Sequence, residues 1–254
     1  MIMKNNQYLL ELAKKGLRID KRKPDHYREI FIEKNPIEKP EGSARVKIGK
    51  TDVMVGVKMD VGEPFPDKLD EGILITGAEF SQLASSTFEG GPPREDSIEL
   101  ARVVDRGIRE SGAIDTKKLC IKKGEKVWMV FVDIQIINHD GNLIDAAALG
   151  SIVALLNAKI PEYDGERVDY EKKKEKLPVK FKPIATTFIK IGESIFIDPN
   201  REEEEAADAR LTVTSKDDGN ITALQKGGGS ISLEDIEKIF EISAKKEKEL
   251  RKLI

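Results

Sequence analysis

Cysteine, histidine and aromatic residues are scarce in this chain of 254 residues, which has one Cys, two His and 6% aromatic side chains. The single cysteine, Cys120, excludes an internal disulfide and cannot form a zinc site by itself, which favours a reducing, cytoplasmic compartment. No apolar run is long enough for a signal-peptide core or a membrane span. The composition therefore predicts a cytoplasmic protein that needs no membrane, and we expect it to use no metal and no cofactor.

Charged residues, in contrast, make up 35% of the chain, and their signs nearly balance to a formal net charge of −3 at pH 7. This balance argues against a surface that binds nucleic acid everywhere, but it permits a local basic patch. A chain of this length can bury a substantial core, either as one large domain or as two packed lobes.

Strand and helix patterns alternate along the chain and predict an α+β fold. Apolar periodicity predicts helices at residues 7–16, 99–111 and 143–161, and from residue 232 onward. Strands are predicted at 27–35, 42–50, 51–61, 72–80, 126–137, 183–192, 194–200, 207–215 and 220–228. Of these, 126–137 is apolar enough to be covered on both faces. The lysine-rich segment 170–178 lacks apolar periodicity, so we interpret it as an exposed connection between lobes 1–169 and 170–254.

The most organised cluster of cations lies in the stretch ELARVVDRGIRES at residues 99–111. At about 100° per residue, Arg102, Arg106 and Arg109 share a stripe about 60° wide, opposite an apolar arc. Guanidinium groups suit phosphodiesters, and neighbours about 5–6 Å apart match phosphates along an extended strand. The pattern leaves two interpretations open: a ladder for an anionic polymer, or a solvated face on which Glu99 and Asp105 pair with the arginines.

A second candidate site is the loop NHDGNLID at residues 138–145, directly before the predicted buried helix. The N-terminus of a helix offers free N–H groups to an anion such as phosphate. Here Leu143 supplies no donor side chain, and Asp140 and Asp145 would repel phosphate. His139 could act as a general base, but an isolated histidine more often has a surface or supporting role.

The acidic run DPNREEEEAADAR at residues 198–210 also allows two interpretations. Clustered carboxylates can bind magnesium or serve as general acids. More commonly, such a run is a solvated turn or the start of a helix. The glycine-rich segment 226–235 lacks the residue order of a nucleotide-binding loop and is predicted to lead into the last helix.

Several of these segments together resemble the RNase PH family. They are GLRIDKRKPDHYREI, FEGGPPREDSIELARVVDRGIRES, KVWMVFVDIQIINHDGNLIDAAALGSIVAL, IFIDPN and QKGGGSISLEDI. The resemblance covers nearly the whole chain and is closest to the non-catalytic ring subunits of the archaeal exosome.

This resemblance implies an RNase PH-like fold of two similar β/α lobes packed into one unit. It also implies several partners: a catalytic RNase PH-like subunit in a hexameric ring of three heterodimers, RNA-binding cap subunits, and single-stranded RNA. Such a ring degrades RNA from its 3′ end with inorganic phosphate and releases nucleoside diphosphates.

The resemblance further implies that the phosphate site is degenerate. Active relatives have Gly-Thr/Ser-Arg at the start of the phosphate-binding helix, where this chain has Gly141, Asn142 and Leu143. The hydroxyl and the arginine are both missing, and each charge-assisted phosphate contact is worth about 1.5–3 kcal/mol. Active relatives also place two aspartates around the acidic loop; Asp208 matches the second, and the first has no counterpart. An inactive subunit is therefore expected.

In the same family, arginines at the positions of Arg102 and Arg106 help to hold the RNA that enters the partner's active site. The resemblance thus favours the ladder for these two residues. Arg109 stays open between a contact with RNA and a pair with Asp105.

Two other functions remain as alternatives. One is a self-sufficient phosphate-dependent 3′→5′ exoribonuclease that uses Asp208 and the glutamates of segment 201–208. The other is a scaffold whose charged helix contacts only protein.

Overall fold

The computed structural model describes residues 2–254, except for the side chains of residues 2–6 and 174. Its helices are α1 (Ile2–Lys14), α2 (Glu95–Glu110), α3 (Leu143–Asn157), α4 (Arg201–Ala206) and α5 (Leu233–Arg251). Its strands are β1 (Ile30–Lys34), β2 (Gly42–Ile48), β3 (Thr51–Gly62), β4 (Ile73–Phe80), β5 (Cys120–Lys122), β6 (Lys126–Asn138), β7 (Lys159–Tyr163), β8 (Val168–Lys176), β9 (Ile184–Ile191), β10 (Ser194–Ile197), β11 (Ala209–Ser215) and β12 (Ile221–Gly228).

The first lobe is built on a mixed sheet with the strand order β1-β2-β3-β6-β4, and β5 pairs with β6. Only the pair of β4 and β6 is parallel within this sheet. Val130, Val132 and Ile134 of β6 are fully buried, whereas Met129 and Phe131 on the opposite face are half-buried. The prediction that this strand is covered on both faces is therefore wrong for one face, because α2 and α3 cover only the other.

Helix α3 is buried nearly all round, as its apolar composition predicts. Its small residues allow the sheet to approach closely: a Cβ added at Gly150 would lie 2.9 Å from Cγ2 of Val55. The helix ends at Asn157 rather than at Pro161, so the predicted end is wrong by about one turn. Pro161 instead lies inside β7, at an irregularity in its pairing with β8, where a missing N–H costs little.

Strands β7 and β8 form a separate two-stranded antiparallel hairpin. The prediction that 170–178 is exposed is largely confirmed, but its prediction as a connection is wrong, because most of that segment is β8. An edge hairpin whose side chains are largely solvated needs no apolar alternation, which explains why the pattern was missed. The boundary at 169/170 falls within β8, and the lobe limits stay a prediction.

The second lobe has a four-stranded antiparallel sheet in the order β10-β9-β11-β12. Helix α5 covers it, with Ile239 packed against Phe188 and Val213. The helix begins as predicted, because the side chain of Ser232 accepts the N–H of Asp235 at 3.1 Å. Helix α3 also packs on β9, so it lies between the two sheets and joins the lobes of this α+β fold.

Candidate functional site

Helix α2 directs its apolar arc into the core and its charged arc outward. Leu100, Val104 and Ile108 are buried beneath it. Gly107 lies so close to the second lobe that an added Cβ would be 3.3 Å from Cγ2 of Thr214. The helix is therefore held between the lobes, which makes it a rigid support for the arginines on its outer face.

The three arginines of this face differ in their contacts. Arg102 and Arg106 are exposed. Arg102 forms no hydrogen bond or ion pair with any side chain that the structure describes, and Nη1 of Arg106 donates only to the carbonyl oxygen of Leu224, at 3.4 Å. Arg109 is engaged: its Nε and Nη2 each donate to the Asp105 carboxylate at 3.0 Å, and Nη2 also donates to the carbonyl oxygen of Leu74 at 3.2 Å.

The acidic residues of α2 do not neutralise Arg102 or Arg106. Glu99 Oε1 accepts from Nη2 of Arg210 at 2.6 Å and from Nε2 of Gln225 at 3.2 Å, both on the second-lobe sheet. Of the pairings considered from the sequence, only Asp105 with Arg109 forms within the described part of the chain.

The loop before α3 is packed tightly against the start of α4. Gly141 has a φ of +86°, and a Cβ added to it would lie 2.4 Å from the carbonyl carbon of Asn200 and 2.6 Å from the oxygen of Pro199. The hydroxyl of Thr51 donates to the carbonyl oxygen of Gly141 at 2.6 Å. The glycine is therefore required by both its left-handed backbone and its close neighbours.

A carboxyl group of the chain itself stands at the N-terminus of α3. The backbone N–H of Asn142 donates to Oε1 of Glu204 at 2.8 Å. The buried Asn142 amide donates to Asp145 at 2.9 Å and to Asp198 at 2.8 Å. The N–H donors of Asn142 are thus bound by acidic groups of this chain, whereas its buried Oδ1 accepts no hydrogen bond from the described residues.

The pKa values of the two buried aspartates that accept from the Asn142 amide are shifted in opposite directions. Burial raises the pKa of Asp145 to about 6, although Tyr27 and Thr187 donate to its carboxyl group. Burial alone would raise the pKa of Asp198 as well, but hydrogen bonds from Arg28 outweigh it and lower the pKa. Asp198 is therefore the fixed negative charge of this network.

The acidic segment 201–208 begins with the short helix α4, whose cap is a reciprocal pair between Asn200 and Glu203. The prediction that this segment starts a helix is confirmed, but the prediction that it is solvated is wrong in part. Glu203 is buried and accepts from Nε of Arg18 at 2.9 Å, whereas the exposed Asp208 accepts the N–H of Gly192 at 2.7 Å. Among the described residues, no group of His, Cys, Asp or Glu is arranged to hold a metal ion.

A cleft of about 210 Å³ opens beside the start of α3. Its charged residues are three carboxylic acids, Asp96, Glu99 and Glu204, and a single guanidinium, Arg210, which is already bound to Glu99. Burial raises the pKa of Glu204 to about 7. The cleft therefore offers an external anion few donors and several repelling groups.

His139 also borders this cleft, with its ring stacked on Phe88 at a centroid distance of 5.4 Å. Burial, together with the nearby charge of Arg201, lowers its pKa. A neutral, stacked imidazole is consistent with the supporting role that we expect for it.

Three arginines near the N-terminus belong to this region and were not identified as site residues from the sequence. Arg18 binds Glu203, while Arg22 and Arg28 bind Asp198 from two sides. These acidic partners lie 170 to 185 residues away along the chain, so no local pattern indicates the pairs.

Among the described helices, none is both long and apolar enough to cross a membrane.

Comparison with known proteins adds an independent observation. Residues 26–161 match the first domain and residues 183–246 the second domain of the 3′ exoribonuclease family. The exosome complex component Rrp42 of Methanocella arvoryzae is 51% identical over 248 residues, which cover 96% of this chain and 93% of the relative. The protein of the same name from Thermococcus gammatolerans is 51% identical over 251 residues, which cover 97% and 92%.

Solved structures agree with the sequence comparisons. A chain of the Archaeoglobus fulgidus exosome with RNA bound to the active site superposes with a TM-score of 0.92 at 46% identity, covering 99% of this chain and 98% of that chain. Rice Rrp46 superposes with a TM-score of 0.71 at 17% identity, which supports the fold alone. Because both family domains match in order and the relatives are similar over nearly their full length, this chain belongs to the 3′ exoribonuclease, or RNase PH, family.

Proposed function

We propose that this chain is a non-catalytic ring subunit of an archaeal exosome and that it holds RNA for a catalytic RNase PH-like partner. Relatives 51% identical to it are named exosome complex components, and similar solved structures are archaeal exosomes, one of them with RNA bound. The complex degrades RNA in the 3′→5′ direction. We further propose a hexameric ring of three heterodimers with RNA-binding cap subunits, in the cytoplasm.

The RNA-binding part of this proposal rests on one observation. Arg102 and Arg106 are exposed, about one turn apart, and neither forms an ion pair with a described side chain. Of the charged residues near them on α2, Glu99, Asp105 and Arg109 are paired within the chain, and only Glu110, one turn beyond Arg106, is also exposed without a described hydrogen-bond or ion-pair partner. Two unneutralised guanidinium groups on a rigid helix suit successive phosphates of a single strand. The exposed face of α2 carries no aromatic residue to stack on bases, which favours contacts with the RNA backbone over base recognition.

The absence of catalysis by this chain is supported by the start of α3. The N–H of Asn142 donates to Glu204 and is therefore not available to a phosphate. Leu143 supplies no cation in place of the arginine of active relatives. Each missing charge-assisted contact would cost a bound phosphate about 1.5–3 kcal/mol. We therefore propose that Gly141, Asn142 and Leu143 form a degenerate phosphate site.

The alternative of a self-sufficient exoribonuclease is not favoured. It needs acidic groups of segment 201–208 that are free for chemistry. Most of these groups are engaged: Asp208 accepts the N–H of Gly192, Glu203 is bound by Arg18, Glu204 accepts the N–H of Asn142, and Glu205 pairs with Arg201 at 3.0 Å. Glu202 alone is exposed without a described partner, and no group of acids among the described residues is arranged to hold a metal ion.

The double variant Arg102→Glu, Arg106→Glu tests the RNA-binding proposal in a ring reconstituted with the catalytic partner. Binding of single-stranded RNA should weaken by about twentyfold or more near 0.1 M salt, and the slope of log K against log salt should fall by about 1.4, because two phosphate contacts are lost. The variant Lys245→Glu, Lys248→Glu is the matched control, since it reverses two exposed charges on α5.

Size-exclusion chromatography establishes that both variants assemble. Unchanged RNA affinity and salt slope in the α2 variant would contradict the ladder and would favour a scaffold whose charged helix contacts only protein.

A further inference from the structure

Helix α2 is held by polar contacts on both flanks of its exposed face. On the flank toward the first-lobe sheet, Asp105 accepts from Thr76 at 3.2 Å, and Arg109 reaches the carbonyl oxygen of Leu74. On the flank toward the second-lobe sheet, Glu99 accepts from Arg210 of β11 and Gln225 of β12.

Arg102 lies midway between these two contacts. At about 100° per residue, Glu99 is about 60° from Arg102 in one direction around the helix axis, and Asp105 is about 60° from it in the other. A rotation of α2 in either direction would stretch one of the two contacts. The exposed direction of Arg102 is therefore fixed by its flanks as well as by the apolar arc beneath it.

Glu99 is electrostatically unfavourable for RNA binding when considered alone. Its carboxylate lies three residues from Arg102, on the side of the helix that also carries Arg106, and a negative charge there opposes an incoming phosphate. However, Arg210 and Gln225 of the second-lobe sheet donate to Glu99 and so tie the start of α2 to the other lobe. This contact gives Glu99 a structural role.

We propose that Glu99 is a positioning residue: it fixes the direction of Arg102 and Arg106 toward RNA by tying α2 to Arg210 and Gln225. This inference rests on the proposed function and adds a specific role for a residue that does not itself touch RNA. Asp105 with Arg109 provides the opposing contact on the other flank.

Three variants of the reconstituted ring test this role. Glu99→Ala removes the charge and the acceptor, whereas Glu99→Gln removes the same charge and keeps an acceptor oxygen. Glu110→Ala is the control, because Glu110 is exposed on the same helix and forms no hydrogen bond or ion pair with the described side chains. Alanine is the best helix former, so neither alanine variant weakens the helix itself.

A positioning role and simple electrostatics predict opposite signs. Loss of one phosphate contact should weaken RNA binding by Glu99→Ala about fivefold near 0.1 M salt and lower the salt slope by about 0.7, while Glu99→Gln should retain most of the affinity. Simple charge removal instead predicts tighter binding for all three variants, and the freed Arg210 would increase this gain further in the two Glu99 variants.

The outcomes also separate this inference from the proposed function. If Arg102→Glu, Arg106→Glu weakens binding but Glu99→Ala binds RNA as tightly as Glu99→Gln or more so, the positioning role is wrong and the ladder stands. If the arginine variant leaves binding unchanged, the ladder itself fails. Thermal unfolding of each variant shows whether a weaker affinity reflects loss of folded protein.

Discussion

Among single residues, Glu204 has the most informative environment. Its carboxyl group accepts the N–H of Asn142 at the start of α3, and burial raises its pKa to about 7. Asp198, two contacts away through Asn142, has a lowered pKa because hydrogen bonds from Arg28 outweigh its burial. The start of α3 is thus occupied by an acid that titrates near neutral pH, beside one that stays ionised.

The shifted pKa of Glu204 predicts a dependence of stability on pH. The folded pKa of about 7 lies above the value of 4.5 for an unperturbed glutamate, so the folded state binds more protons between these values. This group therefore lowers the free energy of unfolding as the pH rises from about 4.5 to 7. Glu204→Gln keeps an acceptor but cannot ionise, and its stability relative to the natural protein should increase over this range, by about 1–3 kcal/mol at pH 8.

Urea unfolding of both proteins at pH 5, 6, 7 and 8 measures this difference. Comparison of the two proteins cancels the contributions of Asp145 and Asp198. A difference that is constant with pH, or that shrinks as the pH rises, would contradict the assigned environment of Glu204.

The sequence predicts the exposed residues of the site better than the buried ones. Exposure of Arg102 and Arg106 and the pair of Asp105 with Arg109 follow from helical spacing, because all their determinants lie within two turns. The partners of Asn142 do not follow from spacing, since Asp198 and Glu204 lie 56 and 62 residues away. The sequence therefore shows which donors are missing, but it does not show which acids take their place.

Among helices and strands, periodic segments are predicted well and solvated ones poorly. The main helices α2, α3 and α5 lie where the apolar patterns indicate, as do the strands of both large sheets except the short β5. The hairpin of β7 and β8 was missed because its lysine-rich second strand has no buried face to impose alternation. The end of α3 was misplaced because Pro161 follows the helix at a distance, inside β7, rather than ending it directly.

The contact of α4 with the loop before α3 predicts an unusually costly glycine substitution. Gly141→Ala should destabilise the protein by about 2–4 kcal/mol more than Gly219→Ala, which should cost about 1 kcal/mol. Both glycines have similar positive φ values, +86° and +83°, but only Gly141 has backbone atoms where the Cβ would lie. The difference in free energy of unfolding between the two variants therefore measures the packing against α4 separately from backbone strain.

Equilibrium unfolding of the two alanine variants measures this difference. Equal destabilisation would mean that α4 moves aside without cost and that the start of α3 is less closed than described.

In the molecule as a whole, the two lobes share the helices that matter for function. Helix α3 lies between the two sheets, and α2 is tied to both by Asp105 on one flank and Glu99 on the other. The net charge of −3 describes a protein that is not generally basic, so RNA binding by this chain would depend on the placement of individual cations such as Arg102 and Arg106 rather than on total charge. Composition and periodicity predict this chain as an α+β protein, whereas its place in a ring follows only from its similarity to known subunits.

Phosphate-dependent release of nucleoside diphosphates from single-stranded RNA, measured for the purified chain alone and for the ring with its catalytic partner, decides whether this chain is catalytic by itself. We expect the chain alone to release no more product than a protein-free control, and the ring to be active. Phosphate-dependent turnover by the chain alone, lost on substitution of Asp208, would contradict the proposal and establish a self-sufficient exoribonuclease.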